Sequence, residues 1–362
     1  MADLFEDYDY TERETQENPP NSFHFSAILA LALFVSSYTL SDPDGKAEYA
    51  LQKHFFQSTG ILFIGIIVGM YSWCKMKSKI GILPNLYHST LVQPIWRLGE
   101  TEKIRFRMAP GVGKCMISAG LMFIAHSLNT FVSYYDNDFL MHGSIDFMIY
   151  LVGVFVLIIT FYIYKFSYTL SQVFGVSLSV TGSIWFFMTL DMVKHWHLII
   201  LQIVSVICYT VSVILLVLAS KKELDTHTAG IIQLFMQGLL QLFSFVVFYL
   251  FLTSAAISAS ELIIEVICGC LFGLAVYFMT ESLMKDSPGI SINIVLLKGI
   301  IYGFFISESY GAYNIIPFST CMAGLFFMVF GDFIFNKFSC RLNQSLLKHR
   351  SSITTPLLKD NL

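Results

Sequence analysis

Residues 197–219, HLIILQIVSVICYTVSVILLVLA, form an apolar run that contains no aspartate, glutamate, lysine or arginine. An α-helix needs roughly 20 such residues to cross the hydrocarbon core of a bilayer, which is about 30 Å thick. The sequence therefore predicts an all-α, polytopic helical membrane protein with about ten transmembrane helices, or nine if the first run does not span. The other runs occupy residues 24–40, 56–73, 113–133, 144–164, 168–189, 230–252, 261–281, 289–306 and 314–335.

The composition excludes the soluble classes of protein. Of the 362 residues, 55% are apolar and only 13% are charged, whereas ordinary soluble domains carry about 25% charged residues. The net charge of −3 gives no support to a nucleic-acid partner, which would favour a strongly basic surface. The expected surroundings are the lipid bilayer itself, and the sequence does not distinguish the plasma membrane from an endomembrane.

The distribution of lysine and arginine predicts the orientation of the chain. Of the 22 cations, 17 fall in one set of alternate loops, which includes both termini and loop 75–112. Because cytoplasmic loops are the cation-rich ones, both termini are predicted to be cytoplasmic. The opposite set holds Lys46, Lys53 and Lys194, and the remaining cations, Lys114 and Lys298, lie within predicted spans.

Three regions follow from this topology. Residues 1–22 form an acidic cytoplasmic segment, residues 23–336 form the helical membrane domain, and residues 337–362 form a basic cytoplasmic tail. The membrane domain includes the basic cytoplasmic loop 75–112, which mixes cations with aromatic and aliphatic residues. This loop either lies on the anionic inner leaflet and contacts its lipids or only fixes the orientation of the chain. No particular protein partner is predicted.

Ionisable side chains inside a bilayer are costly and mark candidate functional sites. Lys298 lies near the middle of its predicted span and needs a partner, for which Glu265 is one hypothesis. The candidates are interpreted as a metal or proton site, as a haem site with axial histidines, or as charges that snorkel to water. This candidate polar site, in the exterior half or at its rim, consists of His126, His142, Asp146, His195, His197, Glu261, Glu265 and Lys298.

A second polar feature is a stripe of Gln233, Gln237 and Gln241, which recur every four residues and so share one face of the seventh predicted helix. Amide side chains bond across membrane helices at about 0.6 kcal/mol on average, so the stripe favours helix packing over a substrate path. The sequence contains no Walker loop, zinc-protease motif or Rossmann fingerprint. No catalytic residue and no cofactor are predicted, and the identity of any metal is left open.

Four groups of residues, within about residues 54–280, follow the order of a known family. They are His54, Gly65 and Trp73; Leu140 to Ile145; Leu190-Asp191 with His195 to Ile200; and Gln237-Gly238 with Val247 and Tyr249. These fragments resemble the transmembrane protein 45 family, a group of small multi-pass proteins. The resemblance implies a helical membrane protein with roles around trafficking and cellular responses, and it implies no catalytic residues.

Three functions are compatible with these features. The leading one is a non-enzymatic role in membrane trafficking or organisation, as the resemblance implies. The alternatives are a secondary transporter of a small solute, ion or proton that uses the candidate polar site, and a haem-binding redox protein. Transporters often contain two related halves. The sequence shows no repeated motif, which weighs against the transporter.

The topology predicts where N-linked glycans attach. The native sequon Asn343-Gln344-Ser345 lies in the predicted cytoplasmic tail and should stay unglycosylated. A sequon-bearing tag fused to the N-terminus should also stay unmodified if residues 24–40 span, and should be glycosylated if only nine spans exist. Endoglycosidase treatment followed by gel mobility distinguishes the two, with a sequon placed within residues 41–55 as the positive control.

Overall fold

The computed structural model describes eleven stretches of the chain, and all structural statements below refer to them. They are residues 24–40, 56–71, 92–95, 105–108, 110–135, 147–188, 196–220, 224, 226–249, 259–306 and 315–334. Side chains are described in all of these except parts of the helix and strand ends.

The described chain is mostly helical. Strands β1 (Val92–Ile95) and β2 (Arg105–Met108) pair antiparallel within loop 75–112, and a 3₁₀ turn, Phe147–Ile149, precedes the fourth helix. The helices are α1 (Phe25–Leu40), α2 (Phe56–Tyr71), α3 (Pro110–Tyr135), α4 (Tyr150–Tyr162), α5 (Leu170–Met188), α6 (Trp196–Ser220), α7 (Thr226–Tyr249), α8 (Ala259–Lys285), α9 (Pro288–Leu296), α10 (Lys298–Ile306) and α11 (Ile315–Ile334).

A helix occupies every predicted span, and most boundaries agree within a few residues. The ninth span, 289–306, differs from the prediction because it is broken into α9 and α10. At the break the N–H of Leu297 donates to the carbonyl of Ile294, at 3.2 Å, which is a 3₁₀ bond instead of the α-helical bond to residue 293. The β1–β2 hairpin is a second difference from the all-α prediction.

Four helical segments are long and apolar enough to cross a membrane: Gly111–Asn129, Leu198–Ser220, Ile263–Lys285 and Ile315–Phe333. The side chains on these helices are arranged as lipid requires. Ile117, Ile207 and Ile263 are 56–64% exposed, whereas Ser118 and Gln202 are fully buried. Apolar groups on the outside and polar groups between helices characterise a protein whose solvent is hydrocarbon.

Helices α5 and α11 meet through a reciprocal pair of glycine contacts. A Cβ placed on Gly175 would lie 2.7 Å from the backbone nitrogen of Met328, and one placed on Gly324 would lie 2.6 Å from the backbone nitrogen of Ser179. Gly324 follows Gly175 by the same number of residues as Met328 follows Ser179. Each helix therefore presents the equivalent position to the other, as in an interface related by a two-fold axis.

The same exchange occurs in two more helix pairs. Between α2 and α7, and between α4 and α9, a glycine on each helix contacts a residue of the facing helix. The two contacts within a pair are reciprocal, as they are between α5 and α11. Gly65 contacts Leu234 and Gly238 contacts Ile61, in both cases with a Cβ contact of 3.5 Å; Gly153 contacts Asn293, and Gly289 contacts Leu157. Each of these three pairs joins a helix of α1–α5 to a helix of α6–α11, in the order that a two-fold exchange of the two segments requires.

The direction of the axis follows from the order of these contacts. Moving along α5 from Gly175 to Ser179, the contact on α11 moves backwards, from Met328 to Gly324. The α2–α7 and α4–α9 contacts run in the same sense, so the paired helices are antiparallel and the axis is perpendicular to them. The remaining packing agrees with this exchange, because α1 packs on α8 and α9 as α6 packs on α3 and α4.

Helices α1 and α6 show the repeat at the level of single residues. Ser37 Oγ donates to the carbonyl of Cys268 on α8 at 3.0 Å, and Ser212 Oγ donates to the carbonyl of Ser118 on α3 at 2.8 Å. Every buried residue of α1 has a buried counterpart at the same spacing in α6. The counterparts of Ala27, Ala30, Leu31, Phe34 and Ser37 are Gln202, Ser205, Val206, Tyr209 and Ser212.

Adding a methyl group at the α5–α11 crossing should destabilise the fold. Gly175→Ala and Gly324→Ala each place a Cβ under 3 Å from backbone atoms of the facing helix, and overpacking of this kind costs about 1–3 kcal/mol. Thermal unfolding of the detergent-purified protein should show similar losses for the two variants, because the positions are equivalent. Gly120→Ala is the control, since nothing lies within 4 Å of its Cβ position; an equal loss there would contradict the close crossing.

Candidate functional site

The side chain of Lys298 lies where the two halves meet. Lys298 is the first residue of α10, directly after the break at Leu297. Its ammonium nitrogen is fully buried and has no hydrogen-bond partner among the described residues. It lies 4.0 Å from the ring centroid of Phe34 and 5.3 Å from that of Tyr38, both on α1. The break in the ninth span thus places a cation against the aromatic face of the first helix.

Aromatic rings connect Lys298 to His126 on α3. Phe34 packs edge-on against Phe272 of α8, with centroids 5.3 Å apart, and Phe272 lies 5.7 Å from the ring of His126. His126 lies 5.6 Å from Tyr209 of α6. Its Nε2 is fully buried and, within the described chain, accepts and donates no hydrogen bond. We call Lys298, His126, Phe34, Tyr38, Tyr209 and Phe272 the central cluster.

The rings alone do not compensate for the buried charge of Lys298. A cation–π contact contributes up to about 2 kcal/mol when it is desolvated, whereas the effective cost of burying one ion in a protein is several kcal/mol. Among the described side chains, the central cluster thus contains two buried polar atoms without a hydrogen-bond partner, Lys298 Nζ and His126 Nε2.

The hypothesis that Lys298 pairs with Glu265 is not met by the geometry. Glu265 is buried, and its Oε2 accepts a hydrogen bond from Nε2 of Gln57 on α2, at 2.8 Å. Lys298 points instead toward α1. The sequence suggested this pair because the two residues carry opposite charges on successive spans. In the structure the two side chains lie on helix faces that point to different residues: Glu265 contacts Gln57, and Lys298 contacts Phe34.

The glutamine stripe joins α7 to α3. Nε2 of Gln233 donates to Ser118 Oγ at 3.1 Å and to the carbonyl of Cys115 at 3.4 Å. Nε2 of Gln237 donates to Oε1 of Gln233 at 3.3 Å, and Gln241 is half-buried one turn further along. The bonds of Gln233 thus join α7 to α3, whereas the bond between Gln237 and Gln233 lies within α7.

The other predicted site residues cannot be placed in the cluster. His142, Asp146 and His195 lie outside the described residues, and only the backbone is described for His197 on α6 and Glu261 on α8. Within the described stretches, no group of three or more His, Cys, Asp or Glu side chains could hold a metal ion. Of the predicted set, the structure brings together His126 and Lys298.

Sequence reasoning missed a polar contact between the start of α1 and the link from α8 to α9. His24 is 1% exposed, and its Nδ1 lies 4.0 Å from Oδ2 of Asp286. Nearby, at the ends of α5 and α11, Ser171 donates a hydrogen bond to Asp332. Asp286 lies in a short charged link whose sequence is typical of a solvated loop. Its burial depends on a helix that is distant in sequence, so the residues around Asp286 do not indicate it.

Burial raises the pKa of Asp286 from 3.8 to about 6, with Glu281 raising this pKa further and Lys285 lowering it. Because the carboxyl holds its proton more tightly in the folded protein than in the unfolded chain, the folded state binds more protons between about pH 4 and pH 6. The contribution of this carboxyl to the free energy of unfolding therefore falls as the pH rises through this window.

Replacing Asp286 should remove this pH dependence. Between pH 4 and pH 6 the unfolding temperature of the unmodified protein should fall relative to that of Asp286→Asn, because only the carboxyl must give up a proton that folding retains. Thermal unfolding of the detergent-purified protein at pH 4, 5, 6 and 7 measures the difference. Asp286→Glu keeps a titrating carboxyl and should keep the slope; parallel curves for all three proteins would contradict the shift.

Comparisons with known proteins identify a shared fold. No family model and no curated protein matches the chain. Among solved structures, 14 chains match. One of them, described as "Crystal structure of protein", superposes with a TM-score of 0.60 at 12% sequence identity, over 84% of this chain and 95% of the other. At this identity the likeness concerns the fold alone: nearly the whole helical arrangement is one that another protein also adopts.

Proposed function

We propose that this protein is a secondary transporter of a small solute, in which two inverted halves alternately open the central cluster to either side of the membrane. The observation that carries the proposal is the reciprocal glycine contact in three helix pairs, Gly65/Gly238, Gly153/Gly289 and Gly175/Gly324. Inverted repeats related by an axis in the membrane plane are a recurrent plan of secondary transporters, with the substrate bound where the repeats meet.

The proposed topology has ten spans, five in each half, with both termini in the cytoplasm. Because each half has an odd number of spans, the second half begins on the opposite side of the bilayer from the first. Equivalent helices of the two halves therefore cross the membrane in opposite directions. The cation bias of alternate loops supports the same orientation. In this topology α9 and α10 together form the ninth span.

The central cluster draws residues from both halves, as a shared site requires. In the α4–α9 pair the axis lies midway between the contacts of Gly289 and Asn293, at the level of Ser291. Lys298 stands seven residues beyond Ser291, which is about 10 Å along a helix. Phe34 and Tyr209 are equivalent residues of the two halves, and both belong to the cluster.

A trafficking role, which the resemblance to the transmembrane protein 45 family implies, stays a prediction. Such a role gives no reason for an inverted repeat or for two unpartnered polar atoms at its centre. A haem between two histidines has less support still, since the central cluster of described side chains contains one histidine and three aromatic rings packed in sequence.

Alternating access predicts opposite distance changes at the two ends of the bundle. Spin labels on p-acetylphenylalanine at Leu40 and Ile315 report one end, and labels at Tyr162 and Phe333 report the other; all four side chains are exposed. Pulsed electron resonance on the protein in nanodiscs should show two populations at each pair, with the long distance at one end occurring when the other is short.

A label pair within one half, Tyr162 with Leu170, is the control and should give a single distance. If both inter-half pairs also give one narrow distance under all conditions, including different pH values and salt, the halves do not move against each other and the transport proposal fails.

A further inference from the structure

We infer that the central cluster binds the carboxylate of a small organic monoanion with an apolar body, and that Lys298 holds the carboxylate. The inference deepens the proposed transport function and rests on it, since it names the class of solute carried. It draws on the two buried polar atoms, on the helix break beside them and on the rings that surround them.

The ammonium of Lys298 needs an anionic partner that the described chain does not supply. Its nitrogen is fully buried without a hydrogen bond among the described residues, and the buried carboxylate of Glu265 accepts a hydrogen bond from Gln57. A carboxylate beside Lys298 would form a charge-assisted hydrogen bond, about twice as strong as a neutral one. The Nε2 of His126 is a second buried polar atom of the central cluster without a hydrogen bond among these residues.

The break in the ninth span favours an anion at the same place. The α-helical hydrogen bonding is interrupted at Leu297, and the nine-residue α10 begins at Lys298. The N-terminus of a helix carries a partial positive charge and free N–H groups, which stabilise anions. Discontinuous helices in transporters direct such termini at the anionic group of their substrates. Here the helix terminus and the ammonium belong to one residue.

The surroundings limit the rest of the solute. Lys298 is the one lysine or arginine of the central cluster, so a second negative charge on the solute would be buried without compensation. Phe34, Tyr38, Phe272 and Tyr209 supply ring faces for an apolar body. Gly299, the next residue, is exposed, and a Cβ there would lie 3.1 Å from the hydroxyl of Tyr150.

Benzoate is the probe for this class, since it joins one carboxylate to one apolar ring. The full-length protein in detergent, titrated with benzoate in a calorimeter, should bind it with one site per chain. Benzylamine has the same ring with a cation in place of the carboxylate, and it should not bind. Phenyl phosphate carries about two charges at pH 7.5 and should bind more weakly than benzoate; tighter binding of phenyl phosphate would overturn the assignment to a carboxylate monoanion.

Lys298→Met tests the residue itself. Affinity for benzoate should fall about 10-fold or more, because hydrogen bonds to charged groups contribute roughly 1.5–3 kcal/mol. Without benzoate the variant should unfold at the same temperature as the unmodified protein or a higher one, since it loses an uncompensated buried charge. A lower unfolding temperature together with unchanged benzoate affinity would show a purely structural lysine and would overturn the proposal.

Lys114→Met is the matched control, as Lys114 is the other lysine in a predicted span and lies near the start of α3. It should bind benzoate like the unmodified protein. Failure to bind benzoate at millimolar concentration overturns the inference. Failure of the binding inference and failure of the transport proposal are separable, because a calorimeter measures the first and spin labels measure the second. Benzoate binding in a protein whose halves do not move would contradict the transport proposal and support the binding site.

Discussion

The core of a bilayer neither donates nor accepts hydrogen bonds, so each polar group of a membrane-embedded chain must find its partner within the protein. The backbone meets this demand by forming helices, and the serines meet it by bonding to carbonyl groups of neighbouring helices, as Ser37 does with Cys268 and Ser212 with Ser118. Gln233 and Glu265 are satisfied in the same way. Several buried side-chain atoms lack a hydrogen-bond partner among the described residues, including both ring nitrogens of His24, Ser287 Oγ, His126 Nε2 and Lys298 Nζ. The last two differ from the others because a series of aromatic contacts joins them in the central cluster.

Close backbone approach between the halves depends on glycine. At the α5–α11 crossing, Gly175 and Gly324 let the two backbones meet at distances that a methyl group would prevent. Each of these contacts has an equivalent contact across the axis. If the two halves swapped conformations, each contact would therefore be replaced by one of the same kind. Two arrangements of similar energy are what a protein needs to alternate between them, since a ligand shifts an equilibrium only by its differential affinity for the two states.

The sequence predicted where helices form, because a helix that crosses the hydrocarbon core needs a minimum number of apolar residues, and the length of an apolar run can be counted directly in the sequence. It did not predict the break at Leu297, because the apolar run from Ile294 to Leu297 contains no helix-breaking residue. The repeat was hidden for a different reason. Equivalent positions share burial more than identity or size, as Ala27 with Gln202 and Phe34 with Tyr209 show, and the shared glycines are scattered among the 23 glycines of the chain. The contact between His24 and Asp286 joins residues far apart in sequence, and the pairing assigned to Lys298 failed because charge alone does not tell which face of a helix a side chain occupies.

The scaffold is symmetric, whereas the site is not. The spacing that relates Gly153 to Gly289 also relates Tyr162 to Lys298, and Tyr162 is 72% exposed at the end of α4. The first half thus has no cation where the second has Lys298, although the rings of Phe34 and Tyr209 are equivalent. If a solute is held through its charge, it stays attached to the second half while the first half moves, and it does not pass from one half to the other. Symmetry would then supply two accessible conformations, and the single lysine at the start of α10 would decide which solutes use them.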